Sequence, residues 1–345
     1  MTNRQPDVVR ISSPSDVVCA IARILGFEPS DSVVALCTHG PRARLGLAMR
    51  FDLELARQPD WLVAAIDERI RHERADGAFI VVYSEASSSD GTLPHGGLIE
   101  LLLDRTRDRA LDVLLVAGGR WWSYLCEDSR CCGAAGTPID ERSPGATAIA
   151  AAYALAGQAV LPDRGAVVRS IAYDGSVDDA VAMADRIEAA RERHAEQSRP
   201  VRRLAVRTLV GRLSAALADP RKTISAADIA ELAALCNDVV VRDEVLIRAR
   251  KRRRRLALLR VLREVVRGVP PPYDAPLCAT LAWVAYAEGE GVVANVALDR
   301  VFASDPDYSL ALLIADALER QVPPSALEEV MRGAARDLRG RCEAG

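Results

Sequence analysis

Side-chain periodicity changes character once along this chain, near Cys126, and that change constrains the fold more than any single motif does. Before it, short aliphatic runs are punctuated by turn residues; after it, apolar residues recur at helical spacing almost to the end. A period of two belongs to strands and a period near 3.6 to amphipathic helices. The pattern predicts a mixed α/β half, with a sheet flanked by helices, followed by an all-α half that is a helical bundle or a repeat-like stack. The expected divisions are 1–142 for the α/β domain, 143–197 for linking helices with a candidate final strand, and 198–345 for the helical domain.

Within the first half, Val8 to Ile11 reads as a strand, and Ser12-Ser13-Pro14 with Asp16 supplies a cap and a first helical turn. Val17, Val18, Ile21, Ile24 and Leu25 continue that helix until Gly26 stops it. Ser32 to Thr38 and Leu45 to Leu53 form a hairpin pattern around His39-Gly40-Pro41. Pro59 to His72 and Leu98 to Arg109 are helix candidates, Ala78 to Tyr83 and Asp112 to Ala117 are central strands, and Arg120 to Leu125 is an antiparallel partner beyond Gly118-Gly119. In the second half Ala166 to Ile171 is a candidate for one last strand, and Asp243 to Arg267 reads as one long helix. Other helices are expected at Val177 to His194, Val201 to Ala218, Ser225 to Cys236, Pro276 to Ala287, Gly291 to Phe302, Tyr308 to Leu318 and Pro324 to Leu338.

Composition narrows the class of protein. Hydrophobic residues are 50% and charged residues 27% of 345, the balance of a folded chain, while aromatics at 4% leave the core to Ala, Leu and Val. Lys plus Arg number 45 against 48 Asp plus Glu, so no whole-molecule field favours nucleic acid. Asn3 to Arg10 mixes charge and proline, unlike a signal peptide, and the uncharged Ser143 to Pro162 is too rich in Ala and Gly to read as a membrane span. Eight cysteines without a secretory segment are expected to be reduced thiols in the cytoplasm.

Several segments in fixed order resemble one family. They are Ile11-Ser12-Ser13-Pro14, Leu25-Gly26-Phe27-Glu28-Pro29, Asp31-Ser32-Val33-Val34 and Arg50-Phe51-Asp52-Leu53, then Gly119-Arg120-Trp121-Trp122-Ser123-Tyr124-Leu125-Cys126, Cys131-Cys132 and Gly136-Thr137-Pro138. Ala275-Pro276-Leu277, Trp283 and Asp305-Pro306-Asp307-Tyr308-Ser309-Leu310-Ala311 complete the set. In this combination the chain resembles the uncharacterised actinobacterial family catalogued as domain of unknown function 4192. The resemblance implies no reaction, cofactor or partner. The family pattern Cys-Cys-Pro is replaced here by Cys131-Cys132-Gly133, without the rigid turn a proline would impose.

Three places could carry chemistry. The loop Ser84 to Gly97 leaves the carboxyl end of a central strand and enters a helix, the usual position of ligand sites in open α/β sheets; Ser87, Asp90 and His95 are its candidates. A solvated loop is the competing account. Arg120, Trp121, Trp122 and Tyr124 place a Trp on each strand face, for the core or for a flat binding surface, and Cys126, Cys131 and Cys132 invite zinc. Structural zinc needs four converging donors and no second Cys pair exists, so no cofactor is implied, with zinc the weak candidate. The run Arg248 to Arg255, including Arg252, Arg253 and Arg254, is the third place; a solvated helical face competes there with contact to nucleic acid.

No dinucleotide fingerprint, phosphate loop, nucleophile elbow or His-Glu-x-x-His pair occurs. The functional expectation is therefore a protein-interaction or regulatory module with an unknown protein partner, the α/β half acting as a ligand sensor and the helical half as a scaffold. Its alternatives are an enzyme acting on a small anionic molecule at the sheet's carboxyl edge and a nucleic-acid-associated protein using the helix around 248–267.

Overall fold

The computed structural model of the chain describes residues 11–86, 92–128, 132–155, 158–219, 221–323, 326 and 329. Two compact units divide it, Met1–Arg164 and Gly165–Gly345.

Helix α1 (Pro14–Leu25) opens with the reciprocal cap its sequence announces: Ser13 Oγ accepts from Asp16 N–H, and Asp16 accepts from Ser13 N–H. Gly26 at φ 78° ends it, donating its N–H to Ala22 C=O at 2.9 Å. The fully buried Asp16 also holds α4 (Pro144–Leu155), because its second oxygen accepts from Ser143 Oγ and from Ala146 N–H at 3.1 Å. A Cβ on Gly145 would lie 2.5 Å from Asp16 Oδ2, so this approach requires glycine. Burial acts to raise the Asp16 pKa, but hydrogen bonds from Ser143, Ser12 and Ser13 outweigh it and hold the carboxyl below its ordinary value.

Six strands follow: β1 (Ser32–His39), β2 (Arg44–Asp52), β3 (Gly77–Tyr83), β4 (Ala110–Ala117), β5 (Arg120–Ser123) and β6 (Thr137–Pro138). Their order is β2-β1-β3-β4-β5-β6, with β3 and β4 parallel and every other neighbouring pair antiparallel. Ala78, Ile80 and Val82 of β3 share a core with Val33, Ala35, Val113 and Leu115 and with α2 (Pro59–His72) and α3 (Gly96–Thr106), through Leu62, Ile66, Ile70, Leu98 and Leu102. The intervening Val34, Leu36, Val81 and Leu114 are equally buried and face the other way. On that side Trp121 donates its indole N–H to Ser15 of α1 at 3.2 Å. Burial on both faces is why the central strands read as unbroken apolar runs, while edge strand β2 alternates.

The second unit is helical throughout its described elements: α5 (Arg164–Ile171), α6 (Val177–Ala195), α7 (Arg199–Leu217), α8 (Ala226–Cys236), α9 (Val239–Arg248), α10 (Arg252–Arg267), α11 (Ala275–Ala287), α12 (Gly291–Ser304) and α13 (Ser309–Glu319). All of α11 is buried, and it packs on α10, α12 and α13. Such a helix, apolar all round, belongs at a bundle's centre, and Ala279, Ala282 and Ala285 let its neighbours approach. Arg300 on α12 cross-links this region: Nε donates to the fully buried Asp274 and Nη2 to Val269 C=O, at 2.5 and 2.6 Å, while Nη1 reaches Ile171 C=O.

Two sequence expectations are corrected. Ala166 to Ile171 is helix α5, not a strand: Val167 and Ile171, four apart, are 2% and 1% exposed, while Val168 between them is 40% exposed. That burial is the helical period, hidden in sequence by a pair of β-branched residues. The long helix expected over Asp243 to Arg267 is broken at Ala249-Arg250-Lys251 into α9 and α10. A continuous helix would set Lys251 and Arg252 three and four positions from Arg248 at like-charge spacings, which the break relieves; within α10 Arg252 and Arg255 both pair with Glu288. Most of the strand expected at Val8 to Ile11 and of the helix at Pro324 to Leu338 lies outside the described residues.

Candidate functional site

Strands β3 and β4 run parallel, so their carboxyl ends open on one edge of the sheet. Ser84 follows β3 directly and donates its backbone N–H to Val116 C=O of β4 at 3.1 Å, which ties the two ends together. Glu85 accepts from Gly118 N–H at 2.9 Å, joining the exit of β3 to the turn after β4. Across from them the chain returns at Pro94 and His95 before entering α3, and Tyr124, just beyond β5, donates its hydroxyl to Pro94 C=O at 2.6 Å. Burial raises the Tyr124 phenol pKa, so it acts as a neutral donor.

His95 is the focus of this edge. Its Nε2 lies 2.8 Å from Ser84 Oγ, an oxygen that also accepts from Ala86 N–H at 3.2 Å. With the proton on Nδ1, the Ser84 hydroxyl donates to Nε2; the opposite tautomer reverses that bond. Burial lowers the His95 pKa and favours the neutral ring. The backbone at His95 sits at φ 64°, a left-handed conformation that costs a β-carbon residue about 1 kcal/mol and is held by the surrounding contacts. Beside it, a Cβ on Gly96 or Gly97 would meet nothing within 4 Å among the described residues. On the α1 side of the same edge, the buried hydroxyls of Ser32 and Tyr83 lie opposite one another in the β1–β3 register, and neither has a hydrogen-bond partner among the described residues.

The sequence candidates thus separate. His95 and Tyr124 come to this edge; Ser87 and Asp90 lie outside the described residues. Arg120 is taken up in structure, with Nη1 donating to Ala135 and Gly136 C=O at 3.0 and 2.9 Å. Trp121 points to α1, whereas Trp122 and Tyr124 pack against the core under α2 and α3, so each face receives one Trp. Gly136 at φ 63° lies so close to the Trp122 indole that a Cβ would come within 2.3 Å. Ser84 was not singled out by sequence, since its meeting with His95 depends on a loop return of eleven positions. Among the described residues no group of three or more His, Cys, Asp or Glu is placed to hold a metal ion. Cys126 and Cys132 are half-buried, and Cys131 lies outside the described residues.

The basic helix is partly committed within its own unit. Glu288 pairs with Arg252 and with the buried Arg255, Glu290 with Arg263, and Asp174 with Arg267, while Arg253 and Arg254 stay exposed. Among the described residues no helix is long and apolar enough to cross a membrane.

Comparison with known proteins adds a family and nothing beyond it. No curated protein and no solved structure matches the chain at a significant level. The family model described as Domain of unknown function (DUF4192) matches residues 14–325, nearly the whole chain and with it Ser84, His95 and Tyr124; the protein belongs to that family.

Proposed function

We propose that the protein is a regulatory binding module of the cytoplasm, whose α/β unit holds a small polar ligand at the carboxyl ends of β3 and β4. The observation that carries this reading is the Ser84–His95 pair, a neutral donor–acceptor couple in a strained backbone at the start of α3. Neutral hydrogen-bonding groups at a sheet's carboxyl edge suit a polar ligand, and neighbouring helices in the second unit suit a scaffold for a protein partner. Cys19, Cys37, Cys236 and Cys278 are free thiols, which fits a reducing compartment.

A thermal-shift screen of the full chain against sugars, nucleosides, amino acids and short carboxylic acids tests it. A ligand of this site at a hundred times its Kd stabilises the fold by about 2.7 kcal/mol. That gain should be absent in Ser84→Ala and His95→Ala. If no compound stabilises the protein, or every hit stabilises both variants equally, the reading fails.

A second reading is hydrolysis by the same pair, since a serine hydroxyl donating to a neutral imidazole is how that nucleophile is prepared. Ser84 is only 6% exposed, which favours binding over attack. Covalent labelling of Ser84 by a fluorophosphonate, lost in His95→Ala, would promote the second reading above the first.

A further inference from the structure

The helical unit contains a cavity of about 440 Å³ where the ends of α6 and α8 meet the starts of α7 and α9. Arg191, Arg199 and Arg202 line it with one carboxylate, Asp238. Two helices end there and two begin there, so their partial terminal charges offset one another, and the local sign is set by side chains.

Asp238 is already heavily used. It caps α9 by accepting from Val240 N–H at 2.9 Å, and it also meets Arg199 Nε at 3.4 Å and Arg202 Nη2 at 3.1 Å. Arg191 is fixed differently: Nη2 donates to Asn237 Oδ1 at 3.0 Å, Nη1 to the half-exposed Glu188 at 2.8 Å, and the guanidinium lies 4.9 Å from the Tyr273 ring centre. His194 in the wall is engaged by Gln197 and by Glu231, which also binds Arg193. Among the described residues the buried Nε–H groups of Arg191 and Arg202 meet no acceptor. The lining itself holds three guanidiniums to one carboxylate, a positive balance that suits acceptor oxygens. The rest of the wall is apolar, with Ala195, Leu235 and Val239 among its members.

We propose that this cavity binds a small organic anion, its carboxylate or phosphate oxygens meeting Arg191 and Arg202 and its apolar body lying against the aliphatic wall. Planar guanidiniums suit both anions because their N–H groups match the spacing of paired oxygens. The volume falls in the range of small-molecule sites, and the mixture of apolar wall and a few convergent charged donors is their usual composition. This site is separate from Ser84 and His95 and stands without them.

Isothermal titration calorimetry on the full chain with phenyl phosphate, benzoate and benzyl alcohol tests it. Saturable binding of at least one anion with a Kd below about 1 mM is expected, with none of the uncharged alcohol at the same concentrations. The tighter of the two anions identifies phosphate or carboxylate as the headgroup. Arg202→Gln should weaken binding about tenfold, the loss of one charge-assisted hydrogen bond. Ala195→Phe should abolish it from an exposed position that leaves every arginine in place, so a folding defect in the first variant does not decide the matter. Absence of anion binding, equal binding of the alcohol, or affinity unchanged in Ala195→Phe would overturn the proposal.

Discussion

The helical unit relies on guanidiniums for its buried carboxylates, whereas the α/β unit uses them for one and hydroxyls with backbone N–H groups for another. In the α/β unit the sheet core is apolar on both faces; of its buried carboxylates, Asp16 is satisfied by hydroxyls and backbone N–H groups, and Asp67 on α2 by Arg71, Arg105 and Arg109. In the helical unit carboxylates are satisfied by guanidiniums: Asp274 by Arg300, Glu288 by Arg255 and Glu244 by Arg203, with five of those six side chains under 15% exposed. The difference follows from what each architecture leaves unpaired. Strand ladders use up their own backbone groups, whereas each helix end leaves carbonyls or N–H groups over, and Arg300 reaches two such carbonyls while neutralising Asp274. A long side chain with five donors can bridge three chain segments in a unit with few aromatic side chains to fill space.

The largest effect expected from breaking this contrast is at Arg300. Arg300→Met leaves the buried Asp274 charge without its guanidinium and should cost about 3–5 kcal/mol, read from urea denaturation followed by helical circular dichroism. Asp16→Asn should cost less, about 2 kcal/mol, through one cap and one buried hydrogen bond. Its cost should also depend on pH with a definite sign. Because the folded pKa of Asp16 is lowered, its ionised form stabilises the fold fully above the unfolded value near 4, and that contribution disappears as pH falls through the folded value. The stability gap between wild type and Asp16→Asn should therefore shrink below about pH 4. Least affected should be Arg254→Gln on the exposed face of α10, within about 0.5 kcal/mol of wild type; a larger loss would mean that the basic run helps hold the bundle together.

How far the sequence was legible also divides along this line. Strands β1, β3 and β4 and helix α1 could be read directly, because the cap at Ser13, the stop at Gly26 and the apolar runs are all local signals. Helix α5 was misread because a six-residue run with two adjacent valines fits either period until burial is known. The Trp pair was legible as one Trp per face, but not its consumption by Ser15 and Gly136, which lie elsewhere in the chain. Of the sheet-edge site, His95 and Tyr124 were recognised as residue types in a suggestive loop and strand, while Ser84 gained meaning only from the loop's return. The arginine-lined cavity had no sequence signature, since Arg191 to Arg202 meets Asn237 to Val240 only after four helices have packed.

Segment-resolved hydrogen–deuterium exchange on Arg300→Met tests the contrast between the units most directly. The guanidinium lattice should fail locally: faster exchange in α5, α11 and α12, with protection of β1, β3 and β4 unchanged. Equal loss of protection in those strands, or no change in the helices, would contradict it.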